Sequence, residues 1–142
     1  MKWSLHHGDI LNLPADVLVC SANVYLTLSG GVGGAFSLRY GPEMQDALRQ
    51  HLESRGIRHV EQGDVIVMPP CGSPYRAVVH AVAVNGLYES SPEIVRSVVS
   101  KSLLQASELG ARSIALAAVA TGYGRMSMSQ FAQGIAPFTK QS

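Results

Sequence analysis

The sequence predicts a three-layer α/β fold, with helices on both faces of a mostly parallel sheet. Three observations carry that reading. Continuous apolar runs of strand length recur along the chain, amphipathic helical patterns with legible caps lie between them, and no repeat, low-complexity tract or linker interrupts the series. The length of 142 residues suits one domain, so residues 1–142 are expected to share a single core. In such a sheet, ligands collect at the carboxyl ends of the strands.

Taken in order, residues 2–6 alternate enough to suggest a short edge strand, and residues 16–20 (DVLVC) form an unbroken apolar run of the kind covered on both faces. After a glycine-rich stretch, Pro42 following Gly41 opens a helix. Met44, Ala47, Leu48, His51 and Leu52 recur there at three- and four-residue spacing until Gly56 supplies a stop. Further strand-like runs occupy residues 64–68, 77–84 and 113–119. Between the last two lies the best-marked helix: Ser91 is a good N-cap, Pro92 fits the first helical position and Glu93 favours the first turn. Its stripe of Ile94, Val95, Val98, Val99, Leu103 and Leu104 needs a sheet to cover it, and Gly110 ends it. A last helix is expected from residue 127 to about 138.

Composition excludes several classes. Hydrophobic residues make up 46% and charged ones 15%, too apolar for disorder, and no apolar run reaches transmembrane length. A formal charge of +1 without any basic cluster lacks the field of a duplex-DNA binder, and the low aromatic content argues against an extended single-strand stacking platform. Cys20 and Cys71 fit no metal spacing, adjacent His6 and His7 would point to opposite faces of a strand, and no metal or cofactor is assigned. The N-terminus has no signal-peptide pattern, so a reducing, cytoplasmic setting without membrane contact is expected. Cys20 and His80, both inside apolar runs, read as core residues.

Two turns carry the chemistry. Ser29-Gly30-Gly31-Val32-Gly33-Gly34-Ala35 places four glycines in five residues just before a helix start, which frees backbone N–H groups to face an anion. Phe36 stands where a dinucleotide fingerprint needs its third glycine, and no Walker lysine follows. A second turn, Ala120-Thr121-Gly122-Tyr123-Gly124-Arg125, follows the run at 113–119. Two anion-cradling turns at one sheet edge suit a diphosphate.

Five segments together resemble the macrodomain family along nearly the whole chain. Gly8-Asp9-Ile10 with Ala15-Asp16-Val17 is similar to its opening GDI element, Ser21-Ala22-Asn23 to the end of its NAAN signature, and Gly30 to Ala35 to its first glycine loop. Val79-His80-Ala81-Val82 is similar to its VIHxV strand, and Ala120 to Gly124 to its second loop. The resemblance implies a cleft for ADP-ribose, free or attached to a macromolecule. It implies that Asp9 and the Ile10 backbone take adenine, that Asn23 meets the distal ribose, and that Ala22 belongs to the ligand site. The phosphates would fall to Gly30, Gly31, Val32, Gly33, Gly34 and Ala35 on one side and Ala120, Thr121, Gly122, Tyr123 and Gly124 on the other. Asp9 could instead cap a turn, and Asn23 could bond its own backbone.

Departures from the family pattern bear on mechanism. Cys20 and Ser29 replace an asparagine and a glycine, Gly124 stands near a usual phenylalanine, and Gly33 occupies a position where one hydrolytic subgroup has an aspartate. The resemblance therefore implies ADP-ribose binding with slow, substrate-assisted ADP-ribosyl hydrolysis that depends on Asn23. A non-catalytic reader and an O-acetyl-ADP-ribose deacetylase are the alternatives, with a poly(A) binder last. After the helix near Phe131 the family's usual closing strand is expected to be lacking, and a monomer or weak dimer is expected.

Overall fold

The computed structural model describes residues 2–121 and 126–139. Four strands form one sheet in the order β2-β3-β1-β4, where β1 is Val17–Ala22, β2 Val65–Met68, β3 Ala77–Val82 and β4 Ile114–Leu116. The central strand β1 runs parallel to both β3 and β4, with Val19 opposite Val79 on one side and Leu116 on the other. β2 is antiparallel to β3. Its direction follows from the short connection between Met68 and Ala77, since a parallel crossover needs about a dozen residues or more.

Alternation along β1 divides the core into two layers. Leu18, Cys20 and Ala22 pack with Phe36, Met44 and Leu48 beneath helices α1 (Gly31–Tyr40) and α2 (Glu43–Ser54). Val17 and Val19 pack with Val95, Val98, Val99 and Phe131 beneath α3 (Pro92–Glu108) and α4 (Met128–Thr139). The expected three-layer α/β fold is what forms.

The sequence-predicted helices at 42–56, 91–110 and 127–138 appear within a residue or two, and Ser91 caps α3 through the Ile94 N–H. Three differences are instructive. Residues 2–6 form no strand: Ser4 and His6 bond each other, and Leu5 is almost fully exposed. Alternation in sequence makes no strand without a sheet edge to pair with. The run at 113–119 yields only a three-residue strand, because Val119 N–H turns back to Ala117 O and Thr121 N–H to Ala118 O. Finally, the glycine-rich stretch is less a loop than the first turn of α1 itself.

Among the described residues, no helix is long and apolar enough to cross a membrane. His80, facing the α1/α2 layer, is buried with neither ring nitrogen bonded, and burial lowers its pKa to about 4. Burial likewise pushes the Cys20 thiol up to about 12, which leaves it protonated and inert at neutral pH.

Candidate functional site

The parallel strands β1, β3 and β4 all end at the same edge of the sheet, and the segments leaving them enclose a cleft of about 300 Å³. β1 contributes Ser21, Ala22 and Asn23 to its wall, the glycine turn contributes Gly30 to Gly33, and the segment after β4 contributes Ala117, Ala118, Ala120 and Thr121. Val84 and Tyr88, beyond β3, complete it. No acidic, basic or histidine side chain lines the cleft among the described residues.

Backbone amides dominate its polar character. Gly30 is the N-cap of α1 and has no side-chain bond to the helix, while Gly34 N–H already reaches Gly30 O. The N–H groups of Gly31, Val32 and Gly33 precede the first intrahelical bond, at the positive end of the α1 dipole. Gly31 is held at φ +55, a left-handed conformation that favours glycine. Gly33 is closely covered: a Cβ there would lie 3.0 Å from Leu28 Cδ2, the movable end of that side chain.

The wall before α1 is rigidly braced. Asn23 Oδ1 accepts from the N–H groups of Tyr25 (3.0 Å) and Thr27 (3.2 Å), and its Nδ2 donates to Thr27 O (3.2 Å). Gln45 of α2 grips the same segment, accepting from Leu28 N–H at 2.7 Å and donating to Leu26 O at 3.0 Å. These bonds hold Leu26 at φ 55, buried under the loop. Opposite, Ala120 sits at φ 68 and Tyr88 at φ 60. Non-glycine residues in this region cost about 1–3 kcal/mol each, and here two line the cleft and a third, Leu26, lies beneath its wall.

Of the site residues expected from sequence, Ala22, Asn23, Gly30, Gly31, Val32, Gly33, Ala120 and Thr121 come together on the cleft. Gly34 and Ala35 line a neighbouring depression beside α1. Gly122, Tyr123 and Gly124 lie outside the described residues. Asp9 and Ile10 are not among the cleft-lining residues: Asp9 caps the 3₁₀ turn Ile10–Asn12 through Leu11 N–H at 2.9 Å and pairs with Arg39 at 3.1 Å. Arg39, in the last turn of α1, also donates to Leu11 O and Asn12 Oδ1, tying that turn to the helix. Sequence reasoning missed Ser21, Tyr88 and Gln45. Ser21 stands two residues before Asn23 in a segment already singled out, whereas Gln45 acts only once α2 has docked.

The macro domain family pattern matches residues 19–135, which takes in most of β1, both turns and most of α4. The chain belongs to the macro domain family. Among its relatives is a Citrobacter koseri protein named O-acetyl-ADP-ribose deacetylase, 32% identical over 129 residues, covering 87% of this chain and 72% of that one. The Oceanobacillus iheyensis macrodomain solved with ADP shares 25% identity at a TM-score of 0.80, over 95% of this chain and 75% of that one. A Trypanosoma brucei macrodomain in complex with ADP-ribose shares 26% at a TM-score of 0.65, over 93% of this chain and 56% of that one. Against mycobacterial relatives 32% identical over 124 residues, this macro domain spans 33% of their length.

Proposed function

We propose that this macro domain binds ADP-ribose, free or attached to a macromolecule, with its diphosphate between the α1 N-terminus and the segment after β4. The observation that carries the reading is the set of amides of Gly31, Val32 and Gly33, which lie on a cleft lined by no charged side chain among the described residues. A neutral, donor-rich wall suits an anion that must be bound and released. Adenine would lie toward Asp9 and Ile10 and the distal ribose toward Asn23, the arrangement that the family resemblance implies. Gly122, Tyr123 and Gly124 would complete the phosphate cradle beside Ala120 and Thr121. Free, buried Cys20 and Cys71 suit a reducing, cytoplasmic setting.

ADP-ribose should bind at roughly micromolar strength, about −8 kcal/mol. Calorimetric titration with ADP-ribose, with AMP and ribose 5-phosphate as controls, tests this. Comparable affinity for all three would refute a site built for the whole ligand.

A second reading, slow hydrolysis of an ADP-ribosyl bond or deacetylation of O-acetyl-ADP-ribose, is favoured by the similarity to the Citrobacter koseri deacetylase. The cleft supplies no general base among its described residues, so such a reaction would use the ligand's own phosphate to take a proton from water. Release of product from an automodified ADP-ribosylated protein separates reader from hydrolase.

A further inference from the structure

We propose that Ser21 is a further ligand-binding residue of the cleft, its hydroxyl fixing Ala120 through one lone pair and donating its proton to an oxygen of bound ADP-ribose. This inference rests on the ADP-ribose reading of the cleft. Backbone pairing between β1 and β4 ends at Val19 opposite Leu116, followed by one more bond from Ala117 N–H to Val19 O. Beyond that point β4 turns away, and the Ser21 side chain takes over from the ladder: Ala120 N–H donates to Ser21 Oγ at 3.1 Å. The bond spans the sheet between two segments that wall the same cleft and helps hold Ala120 at φ 68.

A hydroxyl offers one proton and two lone pairs. Ala120 uses a lone pair, and among the described residues no acceptor takes the Ser21 proton. The other small hydroxyls of the cleft are placed differently. Thr121 spends its proton on Ala118 O at 2.6 Å, while Thr27 and Ser29 are exposed to water. Asn23 has Oδ1 and one of its two Nδ2 protons engaged within its own turn. Ser21 is therefore a half-buried hydroxyl on the cleft wall, anchored by Ala120 and giving its proton to no described residue. A phosphate or ribose oxygen is the chemistry that completes it.

The test is calorimetric titration of ADP-ribose into wild type, Ser21→Ala, Ala120→Gly and the double variant. Glycine takes φ 68 without strain but keeps the N–H that bonds Ser21, so Ala120→Gly removes only the strain, and unliganded thermal midpoints of the four proteins show what Ser21 still contributes to the turn there. Ser21→Ala should weaken binding by about three- to ten-fold in both backgrounds, the range for one hydrogen bond. Loss in the wild-type background alone would mean that Ser21 only holds the turn, and the donation to ligand would be overturned. Equal affinity for wild type and Ser21→Ala would overturn the whole inference while leaving the cleft reading intact. Wild type that does not bind ADP-ribose would sink the cleft reading first and this inference with it. Should Ser21→Ala fold poorly, the pair in the Ala120→Gly background decides.

Discussion

Arg96 supplies the donor that Pro137 withholds. Pro137 lies inside α4 and has no N–H to give the carbonyl four residues back, that of Gln133. Arg96, reaching across from α3, donates through Nη2 to Gln133 O and through Nε to Gly134 O, both at 3.2 Å. The α3/α4 layer that supports the sheet behind the cleft is thus tied by a guanidinium at the weakest point of α4. Arg96→Ala should destabilise the fold by about 1–2 kcal/mol, toward the lower end for bonds to a charged group because the site is partly exposed. Pro137→Ala should recover part of that loss by restoring the helical bond. Denaturant unfolding of the two single variants and the double would show additivity if the residues are not coupled.

Close approach of the same two helices gives a second prediction. A Cβ at Gly134 would lie 2.8 Å from Val95 Cγ1 and 2.9 Å from Pro92 O. Backbone oxygen cannot rotate away, so Gly134→Ala must spread α3 from α4. A loss of about 1–3 kcal/mol is expected, the usual range for overpacking, against the gain an alanine normally brings to a helix. Unchanged thermal stability would show that the helices separate freely.

His80 sets an acid limit. Its folded pKa of about 4 lies below the ordinary 6.5 because burial penalises the charged ring, so the unfolded chain binds the proton more tightly. Its contribution is complete above about pH 6.5 and is lost as pH falls toward 4, by about 3 kcal/mol over that interval. His80→Leu, of similar bulk and without unbonded nitrogens, should flatten the dependence. Denaturation midpoints at pH 7, 5.5 and 4.5 would check it, and a parallel decline in both proteins would assign the acid sensitivity elsewhere.

What was legible in the sequence was what is local. Helices α2 and α3 announce themselves through Pro42, Ser91 and Pro92 and through apolar stripes, all within one element. The first glycine turn is legible for the same reason, since conformational freedom belongs to the residue. The brevity of β4, the antiparallel setting of β2 and the grip of Gln45 on Leu26 and Leu28 depend on partners distant in the chain. Asp9 and Asn23 are the middle case. Their polar chemistry is visible in sequence, yet each turns out to organise its own turn as well, which no spacing distinguishes from a ligand contact.

Asp9 therefore needs a controlled variant. If its carboxylate takes the adenine amino group, Asp9→Ala should weaken ADP-ribose by one to two orders of magnitude, as expected for a charge-assisted bond. The same change removes the cap of the 3₁₀ turn and the partner of Arg39. Arg39→Ala removes the tether and keeps the carboxylate, so it should cost much less. Comparing ADP-ribose with GDP-ribose sharpens the result, because guanine presents a carbonyl where Asp9 needs a donor. Equal losses for both variants and both bases would assign Asp9 a structural role only.

Hydrolysis, if this macro domain performs it, should be slow and should depend on Asn23 for a reason visible in the loop. Gly33 provides no carboxylate, no acid or histidine lines the cleft among the described residues, and His80 is sealed in the core. Lacking a positioned base typically costs 10²–10⁴-fold, which sets the expected rate against relatives that have one. The second amide proton of Asn23 remains for a ribose hydroxyl or a water, while its other bonds shape residues 23–27. Asn23→Ala should thus reduce binding as well as turnover, and Asn23→Asp, which keeps the acceptor for Tyr25 and Thr27 but sets a carboxylate against Thr27 O and beside the anionic ligand, should also bind more weakly than wild type. Adding the absent acid by Gly33→Asp brings its Cβ to 3.0 Å from Leu28 Cδ2, which must give by a few tenths of an ångström, so Leu28→Ala should enlarge any gain. Single-turnover release of ADP-ribose from a mono-ADP-ribosylated glutamate measures all four variants. Turnover by Asn23→Ala equal to wild type would end this mechanism, and no release by wild type over hours would leave a reader.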